Sequence, residues 1–146
     1  MFGFRSLSPD DRSRRKATRV LFVMHGAEAT PEGRSLLLLR RWLSPSQREQ
    51  FAKKGYFEVV GNATGKLYRI YPGTSVNVCE VDKTGRSKGG LCFTPVEMLP
   101  IGDVMLAQKI ALETCESEVN AIARNPQHTG APSSMMAARW RFVPTS

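Results

Sequence analysis

The spacing of apolar positions changes character along the sequence, and each change marks a predicted element. Residues 5–19 are rich in Ser and Arg and carry little apolar periodicity, which predicts a flexible arm over residues 1–19. "VLFVM" follows as a continuous apolar run of β type, closed by His25 and Gly26, and "GAEATPEG" is a loop by composition. From Glu32 onward the period is helical: Leu36, Leu39 and Leu43 share a face with Trp42 beside them, leaving Arg34, Arg40 and Arg41 for water.

The next segment, "SPSQREQFAKKG", carries the clearest local signal. Ser44 is placed to cap a helix, Pro45 suits its first turn, and Gln47 completes a Ser-x-x-Gln capping box. Lys53 and Lys54 fall at the negative end of the helix dipole, and Gly55 is the stop. Beyond Gly55 the period becomes two. "YFEVV", "KLYRIY", "VNVCEV" and "KGGLCF" read as strands joined by the turns "GNATG", "PGTS" and "DKTG", which predicts a four-stranded antiparallel meander.

Pro95 and Pro100 frame a connector, and Gly102 with Asp103 opens the last helix. Along it Met105, Leu112, Cys115, Val119 and Ile122 form one side, with Lys109, Glu113 and Glu116 expected on a solvated other side. "NPQHTGAPSS" is a linker, and "MMAARWRFVPTS" is a short amphipathic tail that either docks in cis or meets a partner through Trp140 and Phe142. The expected fold is therefore α+β: two short N-terminal helices, a four-stranded β-meander and a long C-terminal helix packed on the sheet. Residues 1–19 form an arm, 20–124 one domain, and 125–146 a linker and tail.

The stretch from Trp42 to about Arg124, with "WLSPSQREQFAKKGYFEVVG", "YRIYPGTSVNV", "LCF" and "LPIGDVMLAQKIALE", resembles a family of small bacterial proteins of uncharacterised function that share this order of segments. The resemblance covers a little over half of the sequence and leaves residues 1–41 and the tail outside it. It implies a single α+β module and no particular activity.

Length and composition agree with one folded domain: 146 residues suffice for a real core, and 41% hydrophobic with 23% charged residues is ordinary globular usage. The charge is less ordinary. Twenty-one Lys and Arg against 13 Asp and Glu leave a net of +8, with the excess in the first two thirds of the sequence. Such a surplus favours association with nucleic acid or an acidic protein surface; the plainer alternative is solubility alone. Three cysteines without close spacing argue against a disulfide framework and for a reducing compartment. No apolar run reaches membrane-spanning length and the N-terminus has no signal-peptide core, so a cytoplasmic site is expected, with no membrane partner.

Parts for catalysis are missing from the pattern. "VLFVMHG" has the outline of an α/β-hydrolase oxyanion strand, but the sequence has no G-x-S-x-G elbow. Cys79 and Cys92 fall on neighbouring strands without a Cys-x-x-Cys, and His25 and His128 sit in distant loops, so no metal site and no cofactor are expected. "GNATGK" lacks P-loop spacing and leads into a strand, which makes it a hairpin turn.

What remains is a non-enzymatic basic binding protein. Its expected nucleic-acid contacts are Arg12, Arg14, Arg15, Lys16 and Arg19 in the arm, with Lys53, Lys54, Lys66, Arg69 and Tyr71. Alternation puts Phe57, Val59, Tyr68, Ile70, Val76, Val78, Leu91 and Phe93 on the helix-covered face of the sheet. Arg69, Tyr71, Asn77, Cys79 and Lys88 then share the other face with Leu67, Val60 and Val81. That face either grips nucleic acid or is itself covered by the N-terminal helices. The second functional reading is a structural or adaptor subunit, bacterial or phage-borne, that docks into a larger assembly.

Overall fold

The computed structural model describes residues 9–23, 27–73, 77–91, 94–95, 98–124 and 140–141. Three helices precede the sheet: α1 (Pro9–Val23), α2 (Pro31–Trp42) and α3 (Pro45–Lys54), with a 3-10 turn at Ala27–Ala29. Strands β1 (Phe57–Val60), β2 (Leu67–Ile70), β3 (Val78–Val81) and β4 (Ser87–Leu91) form an antiparallel sheet in sequential order. The long helix α4 (Ile101–Arg124) packs on this sheet, and a two-stranded ribbon pairs β5 (Thr94–Pro95) with β6 (Trp140–Arg141). The α+β architecture expected from the sequence is present. Among the described residues no helix is long and apolar enough to cross a membrane.

The helix signals act as local chemistry dictates. Ser44 Oγ accepts from the Gln47 N–H at 3.2 Å while Gln47 Oε1 accepts from the Ser44 N–H at 3.0 Å, so the capping box closes in both directions. Gly55 ends α3 with a left-handed φ of 75°. Thr30 caps α2 by accepting from the Gly33 N–H at 3.0 Å. Phe57, Val59, Tyr68, Ile70, Val78 and Leu91 turn toward the core, where they meet Met105, Leu112 and Val119 of α4. Phe51 stands edge-on between Phe22 and Phe57, and burying a side group of this size contributes roughly 1.5–3 kcal/mol. Gly102 allows α4 to approach α2, because a Cβ there would lie 2.5 Å from the Ser35 carbonyl carbon; its N–H donates to Ser35 Oγ at 3.1 Å.

Several expectations require correction. Residues 9–19 are not a flexible arm and 20–23 are not a strand, since both belong to α1. Among its described side groups, the half-buried or buried ones, Arg15, Thr18, Arg19 and Phe22, recur at helical spacing. Two of these four described positions are arginines, which a reading of hydrophobic periodicity assigns to water. Asn77 does not share the outer face with Arg69. It precedes the first paired residue of β3, and its amide exchanges hydrogen bonds of 2.7 and 2.9 Å with the buried amide of Gln108 on α4.

Glu116 is also not on a solvated face. It is completely buried, and Lys109 is nearly so, paired with Glu113 at 2.7 Å. The cause is a break in α4 at Cys115, whose φ of −141° and ψ of 40° are not helical. Asn62, in the β1–β2 turn, is inserted into the broken ladder. Its N–H donates to Leu112 O at 3.1 Å, its Nδ2 donates to Thr114 O at 2.9 Å, and its Oδ1 accepts from the Glu116 N–H at 3.0 Å. In an unbroken helix Leu112 O would take the Glu116 N–H directly. Asn62 stands between the two groups and satisfies both.

Candidate polyanion-binding surface

The expected contact residues do not form one continuous patch, because the fold uses most of them internally. Arg19 reaches from α1 to the end of α3 and donates to the carbonyls of Ala52 and Lys53. A cation at this end of a helix satisfies orphan carbonyls and meets the negative end of the dipole. Arg15 lies over the Tyr71 ring at 4.6 Å from its centroid, and Tyr71 packs on Tyr56 with centroids 5.2 Å apart. Arg69 covers the other ring, Tyr56, at 4.7 Å, and its Nε donates to Glu58 at 3.3 Å. These four residues form a continuous row, Arg15–Tyr71–Tyr56–Arg69, with the two rings between the two cations.

The remaining predicted residues divide between paired and outward cations. Lys53 pairs with Glu49 one helical turn earlier, and Lys66 reaches Glu80 across β2 and β3 at 3.5 Å. Lys54 is exposed, 5.9 Å from the Tyr56 ring. Arg12 and Lys16 are exposed on α1. Arg14 lies in α1, with its side group outside the described residues; Phe142 also lies outside them. Trp140 is in β6, where its backbone pairs with Pro95, so the tail returns to the fold at this point.

A feature the residue pattern did not show is a groove of about 640 Å³ between β2 and the β3–β4 hairpin. Lys66, Arg69, Lys83 and Lys88 border it, with Leu67 and Val81 as apolar lining. It also contains three carboxylates. Glu58 and Glu80 are engaged by Arg69 and Lys66, and Asp82 Oδ1 accepts from the N–H groups of Thr84 and Arg86 and from the Thr84 hydroxyl. Those hydrogen bonds, the Thr84 hydroxyl first, hold Asp82 below its usual carboxylate value. Lys83 and Lys88 are exposed at the rim and enter no salt bridge among the described residues. Strand alternation places Lys88 on the face of Arg69, while Lys83, in the turn "DKTG", joins the same groove lining only through the folded β3–β4 hairpin.

Burial pushes the Cys79 thiol up from its ordinary value, and burial likewise raises Tyr71, so both are neutral at physiological pH. Among the described residues no cluster of His, Cys, Asp and Glu is arranged to hold a metal ion. Comparison with protein-family models, curated proteins and solved structures finds no match to this protein. The resemblance over residues 42–124 therefore rests on its motifs alone.

Proposed function

We propose that this protein is a non-enzymatic binder that takes a polyanion, nucleic acid foremost, on the cations its fold leaves turned outward. The groove carries the reading. Two of its bordering cations are already matched by carboxylates, whereas Lys83 and Lys88 stand exposed above an apolar lining, and the whole protein has a surplus of eight positive charges. Arg12 and Lys16 extend the same sign along α1, and Arg86 adds to it beside the hairpin. A binder of this kind neutralises phosphates and releases counterions, so affinity must fall steeply with salt. With about five phosphates engaged, log affinity for duplex against log salt should have a slope near −4.5. Fluorescence anisotropy of labelled duplex and single strand across a salt series reads this directly. A slope near zero, or no binding at low salt, removes the proposal.

One observation favours a second reading, docking into a protein assembly. Leu38 and Trp42 lie one turn apart on α2 with 42% and 60% of their surface exposed, beside Arg34 and Arg41. Exposed Trp next to Arg is the composition of interface hot spots. This reading expects a complex with an acidic partner that survives high salt and is lost in Trp42→Ala.

A further inference from the structure

The carboxylate of Glu116 is held almost entirely by one turn. The N–H groups of Ala63 and Thr64 donate to Glu116 Oε2 at 3.1 and 3.0 Å, and the Thr64 hydroxyl donates to Oε1. Tyr68, at the start of the strand that leaves the turn, donates its hydroxyl to Oε1 at 3.0 Å, and Asn120 donates to that hydroxyl at 3.3 Å. Gly61 completes the cradle, because a Cβ at this position would fall inside the carboxylate. Successive backbone N–H groups converging on one point, backed by two hydroxyls and a glycine that clears the space, form an anion-binding concavity. Here the anion is part of the same molecule.

From this geometry we infer that the β1–β2 turn, residues 61–65, is a carboxylate-binding site that Glu116 fills in cis. Its occupancy latches the last turns of α4 across the break at Cys115. The site is specific for a planar oxyanion: two donors reach one oxygen and two reach the other. Burial alone would raise the Glu116 pKa, and the hydrogen bonds from Thr64, Tyr68 and Ala63 outweigh it in lowering it, so the occupant is the ionised form. If Glu116 is withdrawn, the same donors are left for a carboxylate from another molecule, such as an acidic residue or the terminal carboxylate of a peptide. The inference is independent of the polyanion reading, since Glu116 and its donors are not among the outward cations.

Chemical rescue tests it. The variant Glu116→Ala should lose thermal stability and should show faster amide exchange in residues 116–124 than the parent. Sodium acetate should restore both, where sodium chloride at equal ionic strength does not. With ~100 mM acetate and a dissociation constant of ~10 mM, the folding equilibrium of the variant shifts about tenfold, while the parent, with its site filled, shows no acetate-specific change. The double variant Glu116→Ala/Thr64→Val, lacking the hydroxyl donor, should respond less. If Glu116→Ala is recovered only by refolding, the refolding yield with acetate against chloride gives the same reading. Equal responses to acetate and chloride in the single variant would overturn the inference, whatever the outcome of oligonucleotide titrations.

Discussion

The guanidinium of Arg15 lies over the ring of Tyr71, two residues that sequence alone offers as separate contacts for a nucleic acid. Their stacking makes α1 part of the fold and gives Tyr71 a cation on one side and Tyr56 on the other. A half-buried cation–π contact is worth about 0.5–2 kcal/mol. Arg15→Ala and Tyr71→Leu should each destabilise the protein, and urea denaturation of the double variant should show less than the sum. Full additivity would mean that the contact contributes nothing.

Arg19→Ala removes two donors from the carbonyl end of α3. Hydrogen bonds from a charged donor contribute about 1.5–3 kcal/mol each when well formed, and partial exposure reduces this, so a loss of about 1–2 kcal/mol is expected. Arg19→Lys should recover only part of it, because one ammonium cannot reproduce the planar fork. Equal stability of the Lys variant and the parent would show that charge alone is what α3 uses.

The buried amide pair of Asn77 and Gln108 allows a sharper test. Asn77→Leu or Gln108→Leu removes the two hydrogen bonds that the buried amides exchange, at a cost of about 1–3 kcal/mol. The double replacement removes the mismatched amide and should cost less than the sum of the two single variants, even though the Asn77 bond to Tyr71 O is lost with it. Thermal denaturation of the four proteins reads this, and a double variant whose loss equals or exceeds the sum of the singles would contradict it.

Glu116 also sets a pH dependence. Its folded-state pKa is depressed below the unfolded value, so its contribution to stability is complete above the ordinary carboxylate range and fades as pH falls through the folded-state value. At pH near 7 Glu116→Gln should be less stable than the parent by about 1–3 kcal/mol, since one charged acceptor is lost to four donors. The gap should narrow below about pH 4. Chemical denaturation of both proteins across pH checks the sign, and a gap that widens on acidification would be incompatible with an ionised Glu116.

The meander, α3 and the core face of α4 were legible because their determinants are local: a capping box at Ser44 and Gln47, turn residues between short strands, and apolar residues at fixed spacing. α1 was not, because arginine at inward positions 15 and 19 is solvated in any pattern-based reading, while here an aromatic ring and helix-end carbonyls receive them. Glu116 was assigned to water for a related reason. A carboxylate looks polar in sequence, and only the turn at Ala63 and Thr64, which supplies donors from 53 and 52 residues away, makes burial tolerable. Of the two exposed lysines of the groove, Lys88 was legible from strand alternation, which places it on the face of Arg69, whereas Lys83, a turn residue, was missed because only the folded hairpin brings it into the same lining.

If the outward cations of the groove, rather than those engaged internally, meet a polyanion, then reversing their charge must weaken that contact. The decisive quantity is the dissociation constant of the Lys83→Glu/Lys88→Glu variant for a labelled single-stranded oligonucleotide, measured beside the parent over a salt series. The parent should bind, and the variant should bind at least about tenfold more weakly at low salt, with a salt slope shallower by about 1.4. A parent that does not bind, or a variant with the parent's affinity and slope, would show that the groove is not a polyanion site.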